Sequence, residues 1–244
     1  MQLTRRFSGG LFLSSSYTWS KTLGLNANTN TFTGSGNSDT GLAFYVPSQM
    51  PKNHGVLGFD RTQVFTLAAN YELPFGKGKS MLTDGAGAII LGGWQLNTVL
   101  SAYTGLPFTA YADATSLNAP QNAQIADQLV QDIPKPGGIG NGLPYYDRSA
   151  FKNVSDPRFG TSSLNALRGP GMVNCDLGIF RSFRMSERFN LQFRAEAFNV
   201  TNTPHFENPG QSNSNNNVTN AGFMYITTAL PDQRNIRLGL RLAF

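Results

Sequence analysis

Apolar residues occupy every second position in six separate stretches of this chain. The last runs through Ile236, Leu238, Leu240, Leu242 and Phe244, with Arg237, Gly239, Arg241 and Ala243 between them. In the first, Phe7, Leu11, Leu13, Tyr17 and Trp19 alternate with Ser8, Ser14, Ser16, Thr18 and Ser20. Next, Phe65, Leu67, Ala69, Tyr71 and Leu73 oppose Thr62, Thr66, Asn70 and Glu72. Trp94, Leu96, Leu100 and Ala102 oppose Gln95, Asn97, Ser101 and Tyr103. Val173, Cys175, Leu177 and Ile179 oppose Asn174, Asp176 and Gly178, and Phe189, Leu191, Phe193, Ala195 and Ala197 oppose Asn190, Gln192, Arg194 and Glu196. A period of two sends successive side chains to opposite faces, so each stretch predicts a strand with one apolar and one polar side.

Two architectures produce that pattern. A soluble sandwich buries the apolar side against a second sheet, usually with strands of about 5–6 residues. A membrane barrel turns the apolar side to lipid and the polar side to an aqueous lumen. Length favours the barrel: about eleven residues at about 3.3 Å each, tilted about 45°, rise roughly 25 Å, the height of an outer-membrane apolar band. Phe7, Tyr17, Trp19, Tyr71, Trp94, Phe189 and Phe244 gather near strand ends, where an interfacial aromatic girdle belongs. The connections agree. Three are long, near 23–59, 105–171 and 202–233, and alternate with the shorter Pro74–Gly93 and Arg184–Arg188 segments. With the C-terminus on the periplasmic side, every long connection falls outside and every shorter one inside.

Composition narrows the function. Charged residues make up 14% of the chain, against about 25% in an ordinary soluble protein, while aromatics reach 11%. The net charge of +5 comes from basic residues scattered among strands, which is not a nucleic-acid footprint. One cysteine, Cys175, excludes an internal disulfide framework and a cysteine-based zinc site. No apolar run approaches about 18 residues, so a transmembrane helix is excluded, and the signal-like N-terminus with Arg5 and Arg6 reads as a strand. The segment ending in Gly78, Lys79 and Ser80 imitates a phosphate loop, but that motif requires glycine where Leu73 stands. His54 and His205 are isolated in loop segments and read as surface polar residues without a second metal ligand. No catalytic constellation assembles, and no cofactor is expected. The Asn-rich segment Ser212–Asn220 reads as a hydrated outer loop.

Several segments are familiar together: "SYTWSKTL" (Ser16–Leu23), "YELPFGKGK" (Tyr71–Lys79), "GGWQLNTVLSAYTGLPFT" (Gly92–Thr109), "LRGPG" (Leu167–Gly171), "ERFNLQFRAEAFNVTNTPHFENP" (Glu187–Pro209) and the terminal "RNIRLGLRLAF". In their order and spacing the chain resembles the C-terminal part of a TonB-dependent outer-membrane receptor of the Oar-like group. The resemblance implies a large antiparallel barrel of about 22 strands, with a plug coupled to the TonB energy complex. On that comparison, residues 1–244 are a partial barrel domain of about six strands, an open arc without the plug. The implied partners are outer-membrane lipid, the rest of the barrel and plug, TonB and an unknown nutrient. Ile236, Leu238, Leu240, Leu242 and the terminal Phe244 resemble the signal read by the barrel assembly machinery.

Arg194 and Glu196 share one face of their strand, and Arg237 and Arg241 share a face of the next. In a lumen they are candidates for a charge ladder that contacts substrate or pairs within the wall. The leading expectation is a wall and outer-loop segment of a receptor that imports a bulky nutrient across the outer membrane. Two alternatives stand beside it: an adhesin or passive pore closed by oligomerisation, and a secreted carbohydrate-binding sandwich.

Overall fold

The computed structural model describes residues 1–25, 43–186 and 188–244, with the backbone alone for 6–8. In chain order the strands are β1 (Gln2–Ser8), β2 (Leu11–Trp19), β3 (Leu23–Leu25), β4 (His54–Val56), β5 (Gln63–Glu72) and β6 (Trp94–Tyr103). Then follow β7 (Pro107–Phe108), β8 (Asp127–Gln128), β9 (Phe151–Lys152), β10 (Leu167–Arg168), β11 (Met172–Arg184), β12 (Asn190–Phe198) and β13 (Asn235–Ala243). One α-helix, α1 (Gly85–Leu91), lies between β5 and β6. The seven long strands form one antiparallel sheet in the order β1-β2-β5-β6-β11-β12-β13, so each pairs with the next in the chain.

The expectation of about six strands is corrected to seven. The first alternating stretch is not one strand, because the chain reverses at Gly9 and Gly10, where φ is +60° and +81°. Residues with a Cβ rarely adopt such values, and a glycine pair suits a two-residue hairpin turn. Phe7 therefore belongs to β1, while Leu11 to Trp19 form β2.

Register carries the sequence pattern from β2 to β13. Leu13 pairs with Ala69, Ala69 with Thr98, Thr98 with Leu177, Leu177 with Ala197 and Ala197 with Ile236. One residue along, Phe12, Asn70, Asn97, Gly178, Glu196 and Arg237 form the matching row on the other face. A slip of one residue at any junction would exchange the faces beyond it. From β2 to β13 none occurs, so in those strands every apolar series lies on one side and every polar series on the other, whereas the β1–β2 pairing shifts register between Arg5 and Ser8.

Among the described residues no second sheet covers the apolar side. None of its residues belongs to either buried cluster of the described residues, and Leu238 and Leu240 are 73% and 71% exposed. The sandwich alternative fails on this point, since it requires Leu11, Leu67, Leu100, Leu191 and Leu240 to be buried against protein. β5 and β6 are each ten residues long. Tilted by about 45°, such strands rise about 23 Å, enough for a bilayer's apolar band.

Buried side chains concentrate instead in the long connections. Phe108, Tyr146, Phe151, Val154, Leu167, Phe223, Met224 and Ile226 form one cluster, and Ala43, Phe44, Ile125 and Leu164 a second. Tyr145 packs edge-on to Tyr146 at 5.5 Å, and Phe151 edge-on to Phe223 at 5.7 Å. These aromatics come from residues 104–171 and 199–234, so the two connections fold on each other. Each fully buried aromatic contributes about 1.5–3 kcal/mol, so the connections form a packed cap on one rim of the sheet.

Candidate functional site

The polar face reads as successive rows. Nearest the cap, Val64, Tyr103 and Met172 are paired neighbours, followed by Ser16, Thr66, Ser101 and Asn174. Ser16 and Thr66 share a 2.7 Å hydroxyl hydrogen bond. Below the Asn97–Gly178–Glu196 row come Glu72, Gln95, Phe180 and Arg194. Glu72 is held at 2.6 Å by Lys79 from the "GKGKS" turn and accepts from Gln95 Nε2 at 3.3 Å. That turn thus anchors a wall carboxylate at the rim opposite the cap.

The four wall charges singled out in the sequence share this face, and no ion pair joins them among the described residues. Glu196 and Arg237 are register partners, yet Arg237 lies over the Phe198 ring at 5.0 Å. Arg194 lies over the Phe180 ring at 5.5 Å and donates to Gln192 at 2.9 Å. Arg241 is the register partner of Gln192. Phe180 folds over Gly178, where a Cβ would sit 2.8 Å from its ring, so the glycine leaves room for the aromatic under Arg194.

A cavity of about 350 Å³ opens where the polar face meets the cap, lined in part by Ser101, Tyr103, Asn174, Asp176, Phe198 and Gln233. Asp176 Oδ1 accepts from Asn174 Nδ2 at 2.9 Å and from the Asn199 N–H at 2.8 Å. Asn199, in the turn after β12 with φ +47°, donates its amide to the carbonyls of Thr203 and Asp232, each at 2.9 Å. The turn is thereby tied to the chain entering β13. His205 is 97% shielded rather than at the surface, which corrects the sequence expectation. Its Nδ1 meets the Asp232 carboxylate and its Nε2 the Val173 carbonyl, at 2.9 Å for the latter. Both ring nitrogens thus lie against oxygen atoms of other segments, which ties the loop after β12 to β11 and to the chain entering β13. His54 is exposed, as expected.

The cap is also pinned by charge. The Asp60 side chain is fully buried and paired with Arg168, which also donates to the Asp60 carbonyl at 2.9 Å. Burial pushes the Asp60 carboxyl up, but the Thr22 amide and the Arg168 guanidinium outweigh it and hold it below the ordinary range. Neighbouring Arg61 is pulled down by burial, donates to the Thr104 carbonyl at 2.7 Å and lies over the Tyr103 ring at 5.6 Å. Asp127 takes two hydrogen bonds from Arg158, at 2.9 and 2.6 Å, and these hold its carboxyl low against a smaller upward push from burial. The Asn-rich segment is not simply hydrated. Asn215 and Asn216 are buried, with Asn215 Nδ2 donating to the Tyr225 carbonyl at 2.9 Å and the Asn216 carbonyl accepting from the Tyr111 N–H at 2.8 Å.

The aromatic candidates divide between the rims. Tyr17 and Trp19 stand at the cap end of β2, while Tyr71, Trp94 and Phe189 stand at the far end of their strands. The Phe7 side chain lies outside the described residues. Trp94 donates its indole N–H to the Ile90 carbonyl at 3.0 Å and packs edge-on to Phe193 at 5.9 Å. Ile236, Leu238, Leu240, Leu242 and Phe244 are all exposed, on or just beyond the edge strand β13.

Sequence reading missed the cap's core, the Asp60–Arg168 pair and the role of His205. One signal was present: Tyr145, Tyr146, Phe151, Phe223, Met224 and Ile226 are too apolar for a solvated loop. In comparison with known proteins, the family described as outer membrane beta barrel domain matches residues 1–237. No curated protein and no solved structure matches the chain.

Proposed function

The chain belongs to the outer membrane beta barrel domain family, and from that premise we propose that it forms the wall and outer loops of a TonB-dependent receptor importing a bulky nutrient. Residence in the outer membrane explains the uncovered apolar face: hydrocarbon solvates it, while the polar face borders the lumen. The observation that carries the import reading is the packed cap set directly above a polar wall, with the rim cavity between them. A wall alone needs no such cap, whereas a receptor needs ordered surface to hold a ligand at the mouth of its path. The resemblance to Oar-like receptors adds the energised step. In that mechanism a plug outside these residues moves under TonB and opens the lumen, and this segment binds and guides rather than catalyses.

Among the described residues β1 and β13 each have a single strand neighbour, and unpaired backbone in hydrocarbon costs several kcal/mol per group. Further strands of the same protein supply the missing pairs in the receptor reading. That same observation favours one rival, a passive pore or adhesin in which copies of the chain pair edge to edge. Uptake by cells carrying the protein separates these readings. Iron chelates, oligosaccharides and peptides are offered with and without a protonophore. Energised import predicts accumulation that the protonophore abolishes. Flux indifferent to the protonophore would leave a pore, and surface binding without flux an adhesin.

A further inference from the structure

The geometry points to the rim cavity as a binding site for a neutral oligosaccharide. This inference rests on the import reading above and names the class of its cargo. The cavity's volume, about 350 Å³, falls within the range of about 300–1,000 Å³ seen for small-ligand sites. A smaller cavity of about 120 Å³ adjoins it, sharing Asp176 and Phe198 and extending down the polar face past Asn97 and Glu196. The joined shape is a track, which suits an extended chain of rings better than one compact molecule.

The lining chemistry selects among ligands. Asp176 spends one carboxylate oxygen on Asn174 and Asn199, leaving the other available as an acceptor. The Ser101 and Tyr103 hydroxyls both donate and accept, and the Gln233 amide does each with a different atom. A sugar hydroxyl also donates and accepts, so a diol can satisfy such a mixed set, whereas an anion or a cation uses only half of it. Charge points the same way. Asp176 and Asp232 disfavour anionic iron chelates and acidic glycans. Arg61 already lies over Tyr103 and Arg237 over Phe198, which reduces the aromatic surface open to a cationic ligand.

Titration calorimetry on the full receptor in detergent tests this. The probes are neutral malto-, cello- and xylo-oligosaccharides of six rings, with oligogalacturonate, chitosan fragments, ferric citrate and an uncharged peptide as comparators. At least one neutral hexamer should bind at least tenfold more tightly than any comparator. Asp176→Asn, which keeps the acceptor for the Asn199 N–H, should weaken that binding by about tenfold. Gln233→Ala removes no hydrogen bond of the fold and should weaken it as well, while Lys77→Ala at the opposite rim should leave it unchanged. Silence from all neutral hexamers, tighter binding of a comparator, or indifference to both cavity variants would overturn the assignment. Energised uptake of another ligand with no glycan binding would sink this inference alone. Glycan binding with protonophore-insensitive flux would sink the import reading alone.

Discussion

Adjacent residues on β5 should respond oppositely to the same charge. Leu67 and Ala68 sit either side of the midpoint of the ten-residue strand Gln63–Glu72, each about half a residue, or roughly 1 Å of height, from the centre. Leu67 pairs with Leu100 on the apolar side, while Ala68 pairs with Ser14 and Val99 on the polar side. Arginine at the midplane of a lipid-facing barrel surface costs about 2–4 kcal/mol, and the cost falls towards zero at the interfaces. Leu67→Arg should therefore lose about 2–4 kcal/mol of folding stability in a bilayer. Ala68→Arg should lose little, because its side chain enters the hydrated lumen. The assay is reversible denaturant unfolding of the protein in lipid vesicles, followed by the fluorescence of Trp19 and Trp94. Equal damage from both substitutions, or tolerance of Leu67→Arg, would refute the assignment of the apolar face to hydrocarbon.

Other consequences are equally direct. Arg168→Ala strands a fully buried Asp60 carboxylate, and breaking a buried pair in this way costs about 3–5 kcal/mol. The loss should appear as faster proteolysis of the cap while the strands stay protected. Asp60 and Asp127 carry carboxyl pKa values lowered from 3.8, so their contribution is complete above the unfolded value and disappears as pH falls through the lower folded one. Protection factors of the cap amides, corrected for the intrinsic pH dependence of exchange, should accordingly be lower at pH 3 than at pH 6, and unchanged protection would remove these carboxylates from the account. Asn141→Cys in the cap should react with an impermeant maleimide on intact cells and Lys77→Cys only after lysis, the reverse pattern inverting the topology. Deleting Phe244 should lower the yield of folded protein in the outer membrane, and full yield would exclude it as an assembly signal.

Strand faces were legible in the sequence because alternation is a local property: residues two apart share a side whatever the neighbouring strand is. Once several strands each carry that pattern and one side must meet hydrocarbon, the sheet register is constrained to even shifts. The same logic failed at Gly9–Gly10, where a turn inside an alternating stretch looked like continuation and concealed β1. The cap was illegible for a different reason. Its contacts join positions far apart in the chain, as in Asp60 with Arg168 or Asn165 with the Val56 carbonyl, 108 and 109 residues away. No periodicity announces such pairs. His205 and Asn215 look like polar loop residues until a distant segment closes over them, and only then do their hydrogen bonds become internal. Alternation along each ribbon is enough to say which of its sides meets oil. That the loops form a packed cap emerges only from the folded chain, because burial there depends on segments meeting through space.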